Sequence, residues 1–155
     1  PNGNLRLSLS YKGGLPHGDL IENFLSGKPC RISHFTDGLP DGSGKFFWLD
    51  GSVAGEETFK KGKLLTGTYH PKEGEPFYVI GGEGKRLALQ GGKLFEISEI
   101  VDGVPYGKVW LYNEEELLES VYHTRNGMKE GEETLFYPNG KKKLIISWHQ
   151  DKIHG

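Results

Sequence analysis

Residues 132–155 read EETLFYPNGKKKLIISWHQDKIHG, and residues 19–42 read DLIENFLSGKPCRISHFTDGLPDG. The two segments have the same length of 24 residues and align without a gap. The rest of the chain divides into further copies, which are 1–18 (partial), 43–67 (one insertion), 68–83 (shortened), 84–107 and 108–131. Self-similarity at a fixed period predicts a repeat protein, here one repeat domain over residues 1–155. The chain begins inside a copy and without methionine, so we expect the natural protein to extend further upstream.

Glycine recurs in three columns of this frame. The unit closes on a column that contains Gly18, Gly42, Gly107 and Gly131, and each of two earlier columns marks a turn. Segments such as PNG, TDG, VDG and RNG occupy these turns. Hairpin turns need positive φ, which glycine adopts without steric cost and which Asn or Asp tolerates. The pattern therefore predicts two turns, and so two strands, in every full unit.

The segments between the turns have the composition of strands, with KFFWL, KVWLY and LIISW as examples. One column before the second turn contains the aromatic residues Tyr11, Phe35, Phe59 and Trp148. Stacked hairpins would align such a column into a ladder across neighbouring units. The predicted fold is all-β, an elongated single-layer antiparallel sheet of about six stacked hairpins. In the shortened copy, 68–83, we expect a tighter hairpin or a bend.

The segments LFYPNGKKKLIISWHQDKIHG and FWLDGSVAGEETFKKGKLLTG resemble the MORN-repeat family, and in particular its longer-unit bacterial variant. The resemblance covers essentially the whole chain. It implies successive hairpins in one sheet, roles in protein contact, scaffolding or membrane proximity, and no catalysis. Many bacterial proteins of this variant are labelled as a YwqK-like antitoxin of a toxin–antitoxin system, and no separate motif in this chain accounts for that label.

The composition narrows the possible functions. The net charge of −2 gives no electrostatic reason to expect a nucleic-acid partner. The segment GGEGKR at 81–86 lacks the spacing of a phosphate-binding loop, and the six histidines lack the spacing of a zinc site. Cys30 has no base positioned beside it in the frame, and as a single cysteine it permits no internal disulfide. We therefore predict a protein that is not an enzyme and that needs no cofactor or metal.

Two kinds of surface residue are candidates for contact. Lys12, Lys60 and Arg125 fall in one column and would form a basic stripe able to meet anionic lipid. Trp48 ends the run Phe46–Trp48, whose three side chains cannot all face one way on a strand, so part of the run is either displayed or buried by curvature. Glu115 lies in an acidic turn that is either solvated or a docking point for a basic partner.

The sequence thus predicts a non-catalytic scaffold that binds another protein. The alternatives are peripheral attachment to an anionic membrane through the basic stripe, and antitoxin-like sequestration of a partner protein. Exposed strands at the two ends of the sheet would also allow self-association. A cytoplasmic location and one in the cell envelope are both compatible with these features.

Overall fold

A computed structural model describes residues 5–150 and 152–153, and residues 1–4 of the partial first copy lie outside them. The described residues form sixteen β-strands, and no helix among them has the length and apolar character that crossing a membrane requires. The strands are β1 (Leu5–Lys12), β2 (Leu15–Phe24), β3 (Pro29–Thr36), β4 (Leu39–Pro40), β5 (Gly42–Phe47), β6 (Val53–Lys60), β7 (Lys63–Tyr69), β8 (Phe77–Ile80), β9 (Glu83–Gln90), β10 (Lys93–Val101), β11 (Val104–Tyr112), β12 (Leu118–Arg125), β13 (Met128–Lys129), β14 (Gly131–Phe136), β15 (Lys142–His149) and β16 (Lys152–Ile153).

All of these strands belong to one antiparallel sheet in which neighbours in the chain are neighbours in space. The order is β1-β2-β3-β5-β6-β7-β8-β9-β10-β11-β12-β14-β15-β16, with the two-residue strands β4 and β13 paired to β3 and β12. The predicted all-β fold, an elongated antiparallel sheet of successive hairpins, is confirmed. Local pairing explains the topology, because most strands are joined to their partners by short turns, the connection 70–76 between β7 and β8 being longer.

The turns show why glycine recurs. At Asn126 and Gly127 both residues have positive φ, 54° and 77°, which is the backbone of a two-residue type I′ turn. Gly107, at the end of a unit, has φ 112° and lies where the register of β10 and β11 shifts. This backbone is one that only glycine adopts readily, and a Cβ there would displace the carboxylate of Glu99, whose Oε1 would lie 2.6 Å away.

The sheet curls strongly between β5 and β10. The N–H of Leu49, just after β5, donates to the carbonyl of Gly92, just after β9, at 3.1 Å. In a flat sheet strands four places apart would be separated by about 19 Å. At the opposite edge the N–H of Leu64 donates to the carbonyl of Gly103, also at 3.1 Å. Turns at both ends of the strands therefore meet across the curl, and the short strand β8 lies in the middle of the bend.

The hydrophobic core lies inside this curl. Trp48, Ala54, Leu64 and Tyr69 are almost fully buried, together with residues of β8, β9 and β10. The indole N–H of Trp48 donates to the carbonyl of His70 at 2.9 Å, so its polar atom is satisfied as well. A thin sheet with few apolar residues thus obtains a core by bending rather than by adding a second layer.

Candidate binding groove

The curl leaves a cavity of about 450 Å³, open to solvent, that we call the groove. Strands β2, β3, β5 and β6 form one side of it, and β9 with its turn at Gly91 and Gly92 forms the other. Cavities that bind ligands commonly enclose about 300–1,000 Å³. The groove is therefore large enough to receive a ligand or a short segment of another chain.

Glu57 on β6 is the buried centre of the groove. Its side chain is only 5% exposed, and it accepts hydrogen bonds from the Tyr69 hydroxyl at 2.7 Å and from Nε and Nη2 of Arg86, the latter at 3.1 Å. The register places Glu57 opposite Gly67, where a Cβ would lie 2.3 Å from the Tyr69 hydroxyl. The missing side chain at Gly67 thus makes room for the tyrosine hydroxyl that binds Glu57.

The network changes the acidity of Tyr69 and Arg86. Burial, and then the charge of Glu57, raise the pKa of the Tyr69 hydroxyl well above its usual value. Burial opposes the charge of Arg86, but the hydrogen bonds to Glu57 and its negative charge outweigh burial and raise the pKa of the guanidinium. The phenol therefore stays protonated and the guanidinium stays charged, so the three groups form a fixed network of hydrogen bonds.

Two arginine side chains line the groove and are partly exposed to solvent. The Arg86 side chain is 34% exposed, and its guanidinium carbon lies 5.7 Å from the centre of the Phe59 ring. The Arg31 side chain is 45% exposed, and its Nε lies 3.6 Å from Oε1 of Glu22, which is longer than a hydrogen bond. One cation is thus held rigidly, and the other has only a loose partner.

Aromatic rings lie beside these cations. Phe46 is buried, with 8% exposed, while Phe35 and Phe59 are partly exposed and also line the groove. Cys30 lies in the same wall, and its burial, followed by the charge of Glu22, raises the pKa of the thiol although Arg31 opposes this. The Cys30 thiol is therefore kept in its neutral form. Together these residues give the groove both apolar surface and positive charge.

The proposed basic stripe lies elsewhere. Lys12, Lys60 and Arg125 are exposed at the ends of β1, β6 and β12, each next to a type I′ turn. These strands are four and six places apart in the sheet, and none of the three residues lines the groove. Glu115 is also exposed, and its backbone N–H donates to the side-chain oxygen of Asn113 at 2.9 Å.

The aromatic candidates divide between core and surface. Trp48 is only 4% exposed, so the structure buries it in the core instead of displaying it to a partner, because the curl closes over the end of β5. In the predicted ladder, Phe35 and Phe59 line the groove and Trp148 is half-buried, whereas Tyr11 is 65% exposed. These residues occupy different environments along the curled sheet.

A second buried carboxylate lies in the C-terminal part of the sheet. Glu133 accepts hydrogen bonds from the Ser120 hydroxyl, from Nε1 of Trp148 at 2.8 Å and from Nζ of Lys129 at 3.0 Å. Burial alone would raise its pKa, but these donors lower it below the usual range. The carboxylate of Glu133, like that of Glu57, is thus satisfied by hydrogen bonds.

No group of three histidine, cysteine or acidic side chains within the described residues has the arrangement of a metal site.

Sequence reasoning did not single out Glu57, Arg86 or Arg31. The sequence did contain a sign that Glu57 is unusual, because the equivalent positions in other copies hold uncharged residues such as Ser33 and Ile146. A single charge in such a column indicates a buried partner. No sequence pattern connects it to Arg86, which belongs to a different copy two units further along.

Residues 129–150 match the family described as MORN repeat variant. The matched segment includes β14 and β15 and the turn between them. No curated protein matches the chain. Repeats of this family are associated with binding to proteins or membrane lipids and form a non-enzymatic module.

Proposed function

We propose that this chain, in which residues 129–150 match the MORN repeat variant, is a non-catalytic binding module that holds a segment of a partner protein in its groove. The observation that carries the proposal is the groove itself, a cavity of about 450 Å³ lined by aromatic rings and two partly exposed arginine side chains. Aromatic residues and arginine are the side chains that contribute most at protein interfaces.

The groove is organised before any ligand arrives. The bend is fixed by the backbone hydrogen bond between Leu49 and Gly92, and Arg86 is fixed by Glu57. A preformed site costs little conformational entropy on binding. At its centre Glu57 is held by hydrogen bonds from Tyr69 and Arg86, which favours recognition over reaction chemistry. Sequestration of a toxin-like protein would be one form of this binding and would use the same surface.

The test is to fill the groove. Ala88→Trp places a large ring in the cavity wall on β9, and Tyr78→Trp, on the exposed side of β8 outside the groove, is the matched control. Tagged wild type and both variants are used for affinity capture from source-cell extract, and binding of the captured protein is then measured with purified components. We expect direct binding that Ala88→Trp abolishes and Tyr78→Trp retains. Equal binding by all three proteins would exclude the groove as the binding site.

Binding to anionic lipid is the second candidate, favoured by the exposure of Lys12, Lys60 and Arg125 at strand ends. Each basic residue near a charged membrane contributes about 1 kcal/mol. If this function holds, the protein pellets with phosphatidylserine vesicles at low salt, and neutralising all three residues abolishes pelleting. Pelleting that is unchanged in the triple variant would eliminate this candidate.

A further inference from the structure

We infer that the groove recognises a carboxylate side chain next to an apolar side chain, so that the partner segment is an acidic peptide; the inference rests on the proposed function and names its chemistry. The observation behind it is the state of two arginines in one cavity. Arg31 and Arg86 both line the groove, and each of these side chains is partly exposed to solvent.

The hydrogen-bonding capacity of the two arginines is not used up. A guanidinium group carries five N–H donors. Arg86 uses Nε and Nη2 on Glu57, while its Nη1 has no hydrogen-bond acceptor among the described residues. Arg31 makes no hydrogen bond within the described part of the chain, since Glu22 lies 3.6 Å from its Nε. The groove therefore presents N–H donors that an anionic ligand would satisfy.

The fixed geometry favours a carboxylate. A guanidinium group is planar, and its parallel N–H bonds match the two oxygens of a carboxylate. Glu57 already binds Arg86 in this manner and prevents the side chain from turning away from the cavity. An incoming carboxylate would find one cation in place, and Arg31 could exchange the loose contact with Glu22 for a closer one.

The apolar lining specifies what should accompany the carboxylate. Phe35, Phe59 and Leu89 border the same cavity and are partly exposed. An apolar side chain of the ligand would cover them and would exclude water from the charged contact, which strengthens it. Two negative side chains, Glu22 and Glu57, also line the groove, so a densely charged phosphate group is disfavoured relative to a single carboxylate. A flat membrane surface also fits poorly into a concave cavity.

The experiment begins with a library of random peptides displayed on phage and selected on the wild-type protein. Recovered peptides should be enriched in Asp or Glu beside aromatic or aliphatic residues. For the tightest synthetic peptide, Arg31→Gln should weaken binding by about 10–100-fold, the usual loss of a hydrogen bond to a charged group. Lys141→Gln removes an exposed cation outside the groove and should leave the affinity unchanged. Replacing the acidic residue of the peptide by its amide should reproduce the loss seen with Arg31→Gln.

Other outcomes separate this inference from the proposed function. Peptides that bind, are blocked by Ala88→Trp and show no acidic preference would overturn the inference and leave the groove as a binding site. The same holds if Arg31→Gln binds as well as wild type. Recovery of no peptide that Ala88→Trp blocks would count against both. Phosphatidylserine vesicles that displace the peptide from wild type and not from Arg31→Gln would assign the cations to lipid and overturn the peptide ligand.

Discussion

Replacing Gly92 by alanine tests the curl on which the groove depends. Gly92 has φ 80°, and a Cβ there would lie 2.7 Å from the Phe24 ring and 2.9 Å from the backbone nitrogen of Leu49. The same Leu49 nitrogen donates to the Gly92 carbonyl at 3.1 Å. The substitution therefore cannot relieve its clash without separating the two loops that close this edge of the sheet.

Gly140 is a matched control. It occupies the corresponding turn of the last unit with φ 86°, and a Cβ there would meet no atom within 4 Å. Alanine at either position takes up a left-handed backbone at a cost of about 1–2 kcal/mol. At Gly92 alone, overpacking adds about 1–3 kcal/mol and the weakened hydrogen bond about 0.5–1.5 kcal/mol. We therefore expect Gly92→Ala to lose about 2–4 kcal/mol more stability than Gly140→Ala.

The assay is urea unfolding of wild type and both variants, followed by tryptophan fluorescence and extrapolated linearly to water. Trp48 is one of three tryptophans and lies in the core beside the loop that contacts Gly92, so part of the emission comes from this edge of the sheet. Equal losses of stability in the two variants would refute the reasoning. They would mean that alanine at position 92 costs only the free energy of the left-handed backbone, with no clash across the curl.

Three further results are expected. Tyr69→Phe should destabilise the protein by about 1.5–3 kcal/mol in urea unfolding, because the buried carboxylate of Glu57 loses a hydrogen-bond donor; an unchanged midpoint would mean that the hydroxyl contributes nothing. The folded pKa of Glu133 lies below the ordinary 4.5, so the stabilisation that its carboxylate provides is present above the unfolded pKa and is lost as pH falls through the folded pKa. The unfolding free energies of wild type and Glu133→Gln should therefore differ at neutral pH and converge in acid. A constant difference at all pH values would contradict this. Lys61→Asn should stabilise by about 0.5–1 kcal/mol, measured by thermal unfolding against wild type, because Lys61 has φ 50° in an exposed turn and asparagine tolerates that backbone better; a lower melting temperature would count against this reasoning.

The sequence was sufficient for the strands because they follow from local rules. Glycine and Asn-Gly or Asp-Gly pairs prescribe the turns, and β-branched and aromatic residues fill the segments between them. Even Glu116, which stands where other units have a turn glycine, adopts φ 63°, so the position in the unit predicts the backbone better than the residue does. Hairpin pairing then requires only neighbours in the chain.

The curl was harder to predict because it depends on residues in different units. Leu49 and Gly92 meet across four strand positions, and a turn sequence prescribes its own backbone without indicating whether a distant turn will contact it. For Trp48 the sequence left display and burial by curvature both open, and the bend buries it by covering a side chain that a flat sheet would expose. Long-range packing decides what a column of equivalent residues contacts.

The groove arises where the repeat departs from its own regularity. A regular array of 24-residue units would repeat every contact, whereas the short strand β8 brings β6 and β9 close enough for Glu57 to bind Arg86. No other unit has an acidic residue at the position of Glu57. The ion pair between Glu57 and Arg86 therefore occurs once along the described sheet. The regular units form the rigid sheet, and the shortened unit 68–83 creates the bend that forms the groove and places Arg86 in it. Restoring β8 to full length should therefore remove the site while keeping the sheet.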